Sequence, residues 1–97
     1  MPFAIVLAPE AAEDLKSLKA NIRSEVTAAI ERHLRHEPRK TSRSRIKRLR
    51  GFDRPQYRLR VGDVRVFYDV ADSTVEILAI VTKSESEQWL AQIEGRK

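Results

Sequence analysis

The sequence has no cysteine, three glycines, one tryptophan and no apolar run long enough to span a membrane. Without cysteine there can be no disulfide framework, thiolate metal site or thiol nucleophile, and a reducing, cytoplasmic setting fits. The N-terminal run from Phe3 to Leu7 is too short for a signal-peptide core or a membrane span, so no membrane partner is expected. No internal repeat occurs, and 97 residues bury one core, which implies a single domain over residues 1–97. Histidine is scarce too. His33 and His36 lie three apart with only Glu37 adjacent, which makes a poor ligand set, so neither a metal nor another cofactor is expected.

What the chain does have is charge. Charged residues make up 34% of it and the net charge is +5, with strong segregation. Residues 39–65 hold 11 Lys or Arg against Asp53 and Asp63, a local balance of +9; the remainder holds eight cations against twelve carboxylates, or −4. Such a distribution focuses a positive field on one side and attracts polyanions in a salt-dependent way.

Hydrophobic periodicity sets out the elements. Phe3 to Leu7 reads as a buried strand, ended by Ala8-Pro9. Ala11, Leu15 and Leu18 recur at helical spacing over about residues 9–20; Ile22, Val26, Ile30 and Leu34 continue that spacing to Pro38, with Asn21 as the cap between two hairpin helices. From Arg39 to Pro55 periodicity fails, and the segment reads as an extended, mobile basic connector anchored through Ile46 and Leu49. Three strands follow, Gln56–Val61, Val64–Val70 and Thr74–Thr82, as an antiparallel meander. Ser84 and Glu87 then resemble a capping box for a last helix that docks through Trp89, Leu90 and Ile93. The expected fold is α+β in the order βααβββα, with a helical hairpin and a C-terminal helix packed on a small antiparallel sheet.

The turn Gly62-Asp63 sets a register in which Tyr57 faces Tyr68, Arg58 faces Phe67, Leu59 faces Val66 and Arg60 faces Arg65. Alternation then sends Tyr57, Leu59, Val64, Val66 and Tyr68 to one face and Arg58, Arg60, Arg65 and Phe67 to the other. A like-charge pair such as Arg60 and Arg65 costs stability, so the arrangement points to an anionic visitor held by guanidinium forks. The opposing expectation is that Asp69, Glu76 or the acidic start of the last helix neutralises the three arginines.

This order, with Leu49-Arg50-Gly51, Tyr57-Arg58-Leu59-Arg60-Val61, Val64-Arg65-Val66-Phe67-Tyr68 and Val75-Glu76-Ile77-Leu78, resembles the RelE/ParE toxin superfamily of type II toxin-antitoxin modules over nearly the whole chain. In its RelE branch the resemblance implies a ribosome-dependent mRNA endoribonuclease that inhibits translation by driving a ribose 2′-OH onto the adjacent phosphate. The catalytic positions it implies are Arg58, Arg60, Arg65 and Lys83; Arg43, Arg45, Lys47, Arg48, Arg50 and Arg54 would bind RNA and the ribosome. A guanidinium stays protonated, so Arg58 suits charge stabilisation better than proton abstraction. Ser84 stands where the family has an arginine after the fourth strand, and the position of its C-terminal tyrosine falls on or near Trp89 and Leu90. A ParE-like DNA gyrase inhibitor and a catalytically weak antitoxin-binding protein are the alternatives. Each implies an acidic, largely helical cognate antitoxin, and a toxin-antitoxin hetero-oligomer on operator DNA.

Overall fold

A computed structural model describes residues 2–94. The elements are β1 (Ala4–Leu7), α1 (Pro9–Ser17), α2 (Ala20–Leu34), β2 (Ile46–Arg48), β3 (Tyr57–Val61), β4 (Val64–Ala71), β5 (Thr74–Thr82) and α3 (Lys83–Glu94). The α+β class and the helical hairpin hold. The sheet is larger than the periodicity shows, with five strands in the order β1-β5-β4-β3-β2. It is also mixed, because β1 runs parallel to β5 while the other pairs are antiparallel.

The extra strand comes from the basic connector. Ile46 is buried in the core and Lys47 pairs with Arg58, which places β2 on the outer edge of β3. A three-residue strand carrying two cations has no detectable alternation, so only its partner reveals it. The connector is further held by Ser42, whose Oγ accepts from the amides of Arg45 (3.0 Å) and Ile46 (3.2 Å).

The sheet is covered on both faces. The α1–α2 hairpin brings Ala11, Val26, Ile30 and Leu34 onto Leu59, Val66, Tyr68, Val75 and Ile77. Helix α3 covers the opposite face, where Trp89 stacks on Phe67 with ring centroids 4.8 Å apart, next to Ala79. Trp89 is 7% exposed and is therefore a core residue, as its apolar spacing predicts. A bulge lets β5 serve both layers: Phe67 pairs with Ala79 and Tyr68 with Ile77, so Leu78 is the extra residue. Val75 and Ile77 thus face the hairpin layer, while Leu78 and Ala79 face the α3 layer.

Two caps differ from expectation. Asn21 does not cap the inter-helix joint; Arg23 does, donating to the carbonyl oxygens of Leu15, Lys16 and Leu18 at the end of α1. At α3 the capping box is Thr82 with Glu85, whose Oε1 accepts from the Thr82 amide (3.1 Å) and hydroxyl (2.8 Å). The helix therefore begins two residues earlier than Ser84–Glu87 implies, which releases both of those side chains from capping.

Candidate functional site

The register of the β3–β4 hairpin is the one the Gly62-Asp63 turn dictates, with Arg58 opposite Phe67 and Arg60 opposite Arg65. Gly62 takes a φ of +57°, a left-handed conformation that glycine adopts without Cβ strain. All three arginines thus leave the sheet on the α3 face, but not as an open patch. Arg60 is exposed and Arg58 half-buried, whereas Arg65 is only 6% exposed. The burial of Arg65 corrects the expectation of three solvent-facing guanidiniums, and the physical reason is the lid that α3 forms over its strand. Its Nη1 donates to the carbonyl oxygens of Gly62 (2.9 Å) and Val64 (3.2 Å).

Between the hairpin and the start of α3 lies a cleft of about 540 Å³, lined by Arg58, Arg65, Lys83, Asp63, Ser84, Ser86 and Glu87. Its far wall is the first turn of α3, the positive end of that helix dipole, and the Lys83 amide is tied to the Asp63 carbonyl at 2.8 Å. Arg58 faces the cleft with a buried Nε that has no hydrogen-bond partner. Burial, together with the charges of Arg65 and Arg60, lowers the affinity of this guanidinium for its proton. Among the described residues no ion pair joins Arg58, Arg60, Arg65 or Lys83 to a carboxylate. Of the acids expected to quench the cluster, Asp69 (2.6 Å) and Glu76 (2.7 Å) both hold Arg54 and Glu85 caps α3. Glu87, also from the acidic start of that helix, lines the cleft without forming an ion pair among the described residues.

Three of the four positions singled out as catalytic therefore meet in one cleft. Arg60 lies on the same face but outside the lining, beside Arg45, whose carbonyl accepts the Arg60 amide at 2.8 Å. The six binding positions divide. Lys47 pairs directly with Arg58 and so extends the cationic row across β2, while Arg43, Arg45 and Arg50 are exposed. Arg48 sits on the other side of the sheet, its guanidinium 5.1 Å from the centre of the Tyr57 ring. Arg54 departs furthest from expectation, since its two carboxylate partners make it a strut that fastens the connector to β4 and β5. Asp63, Ser86 and Glu87 are cleft residues that sequence reasoning missed; Glu87 was hidden by its apparent role as a cap. No cluster of metal-ligating side chains occurs among the described residues. No helix among them is long and apolar enough to cross a membrane.

Comparison with known proteins agrees with this architecture. Residues 5–87 match the family model of the ParE toxin of the type II toxin-antitoxin system parDE. A sequence search among curated proteins finds no match. Among solved structures, the RelBE2 toxin-antitoxin complex of Mycobacterium tuberculosis is similar at 25% identity and a TM-score of 0.68, over 84% of this chain and 99% of that one. The archaeal RelE-RelB complex of Pyrococcus horikoshii OT3 superimposes with a TM-score of 0.69 at 24% identity, over 86% and 97% of the two chains. A mutant of the E. coli toxin RelE in the free state shares the fold at 16% identity with a TM-score of 0.59, over 99% and 98%. A hairpin register that gathers cations beneath a third helix, a matching fold among RelE toxins and a family model spanning most of the sequence lead to one assignment: the chain belongs to the ParE toxin family of type II toxin-antitoxin systems, within the RelE/ParE superfamily.

Proposed function

We propose that the chain is an endoribonuclease that cleaves mRNA on the ribosome and so inhibits translation, with the hairpin cleft as its phosphate-binding centre. The single observation that carries this reading is the meeting of Arg58, Arg65 and Lys83 at a helix N-terminus without a carboxylate ion pair, one of them with a buried, unpartnered Nε. Such a group is expensive to bury unless an anion completes it. Scission by a ribose 2′-OH forms a bond to the adjacent phosphorus, breaks the bond to the 5′-oxygen and moves one proton from the first oxygen to the second. The extra negative charge that builds on the phosphate oxygens is what Arg58 and Lys83 are placed to hold. Asp63 and Glu87 supply carboxylates in the same cleft that can accept the 2′-OH proton. An acidic antitoxin chain that neutralises this face is the expected cellular partner, consistent with the RelB complexes of its structural relatives.

A second reading, inhibition of DNA gyrase, is favoured by the ParE family match and by the absence of His and Tyr from the cleft lining. One experiment separates the two. The chain is induced without antitoxin, mRNA 5′ ends are mapped and DNA supercoiling is assayed in the same cultures. Codon-phased 5′ ends that disappear in Arg58→Ala are the expected result; intact transcripts with relaxed or broken DNA would sink the nuclease reading.

A further inference from the structure

A second cationic pocket lies on the other side of β2 from the cleft. It encloses about 240 Å³ where the last turn of α2 meets the connector, and Arg32, His33, His36, Lys40 and Arg45 line it with one carboxylate, Glu37. The dipole at the C-terminal end of α2 accounts for Arg32 and His33, which belong to that turn. It does not account for Lys40 and Arg45, which the connector delivers from outside the helix. Among the described residues the side chains of Arg32 and Arg45 form no ion pair, and Lys40 has only an exposed contact with Glu37 at 3.7 Å, a weak pairing. Ser42 adds a directional element: its Oγ accepts two backbone amides, so the hydroxyl proton remains to be donated to an oxygen in the pocket. Arg45 also links this site to the first, because its carbonyl accepts the Arg60 amide where the cationic row of the hairpin ends.

We propose that this pocket binds a phosphodiester of a single-stranded polynucleotide, seating the strand after it leaves the hairpin cleft and crosses Arg60 and Arg45. The ligand class rests on the nucleic-acid reading above, while the location rests on the pocket itself. Phosphate fits better than a carboxylate peptide because the lining offers several separate donors around a small volume, and Ile46, itself buried, is its one hydrophobic residue. His33 is the natural reporter. Burial, then Arg45 and Arg32, hold its imidazole below the usual pKa, and the carboxylates nearby are Glu37 and, beside His36, Glu31, which is committed to Arg35. A phosphate among these cations would favour the imidazolium, so binding should raise the titration midpoint of His33.

The test uses the full chain, a short single-stranded RNA without ribosomes, histidine-ring NMR and an affinity measurement across salt concentrations. RNA is expected to move the His33 resonances and raise its midpoint. The double variant Arg32→Ala, Lys40→Ala should bind RNA roughly tenfold more weakly, with a salt slope smaller by about 1. Unchanged His33 signals at saturating RNA, together with parental affinity in the double variant, would overturn the proposal even if Arg58→Ala still weakens binding. The converse, a responsive pocket with binding indifferent to Arg58→Ala, would uphold the pocket and sink the cleft. Movement of His33 by an acidic peptide but not by RNA would overturn the proposal in favour of a protein partner.

Discussion

Arg58 and Arg65 stand next to each other in space yet carry opposite liabilities. Arg65 is buried with its guanidinium bonded to two carbonyl oxygens, so Arg65→Ala removes structure as well as charge, and a loss of about 1–3 kcal/mol in chemical denaturation is expected. Arg58 is half-buried with an unpartnered Nε and two like charges nearby. Replacing it with methionine retains the apolar stem, deletes the unsatisfied donor and relieves the repulsion. Arg58→Met should therefore leave stability unchanged or raise it by up to ~1 kcal/mol while abolishing growth inhibition. A destabilised Arg58→Met would show that this side chain is structural, and a folded one that remains toxic would remove it from the site. Alternation alone reveals which face the arginines take. It cannot reveal that Arg65 lies under α3, because burial on that face depends on a helix that begins only at Lys83.

At the scale of elements, β2 shows what a basic strand hides. Its charged pair Lys47 and Arg48 gives no apolar alternation, and its place in the sheet depends on Ile46 and on ladder bonds to β3. Ile46→Ser should cost about 2–4 kcal/mol and bring the amides of residues 46–48 to near-unprotected hydrogen exchange, with β4 and β5 still protected. The strands β3 to β5 are legible in the sequence because Gly62-Asp63 and Ala71-Asp72-Ser73 mark their ends; the bulge at Leu78 is not, since two adjacent apolar residues look the same whichever layer each one enters. The start of α3 is ambiguous by two residues because Thr82–Glu85 and Ser84–Glu87 have the same spacing, and only the end of β5 distinguishes them. That cap has a pH signature. Hydrogen bonds from the Thr82 amide and hydroxyl hold the Glu85 carboxyl below its ordinary value of 4.5, so the folded state binds this proton less readily than the unfolded chain. Its contribution is present above about pH 4.5 and is lost as pH falls through that value towards the folded pKa. Asp14 acts in the opposite sense, since burial raises its pKa. Glu85→Gln keeps an acceptor for the cap, and the fall in Tm between neutral and acidic buffer should be smaller in this variant than in the parent.

For the molecule as a whole, the division of charge along the sequence becomes a division in space. Lys47, Arg58, Arg60 and Arg65 gather on one sheet face, Arg45 marks the strand edge, and Arg32, His33 and Lys40 continue the positive surface beyond it. Binding to single-stranded RNA should weaken steeply with salt, with a slope of log affinity against log salt of about −2 to −4 if three to five phosphates are engaged. A slope near zero would mean that the cations only solubilise the fold. This polarity is visible in composition, but its quenched portion is not. Arg54 belongs to the same basic run as Arg50 and Arg58, and only the folded sheet shows that Asp69 and Glu76 neutralise it.

The Gly62-Asp63 turn has one more consequence. One of its carbonyl oxygens holds the Arg65 guanidinium and the other holds the Lys83 amide, so the hairpin wall and the start of α3 are hung on consecutive carbonyl groups. The spacing between those walls is therefore a local property of two peptide units. The exposed positions of α3 are therefore free to diverge among relatives, or to be redesigned, with Trp89 still seated on Phe67 and the gap between hairpin and helix preserved.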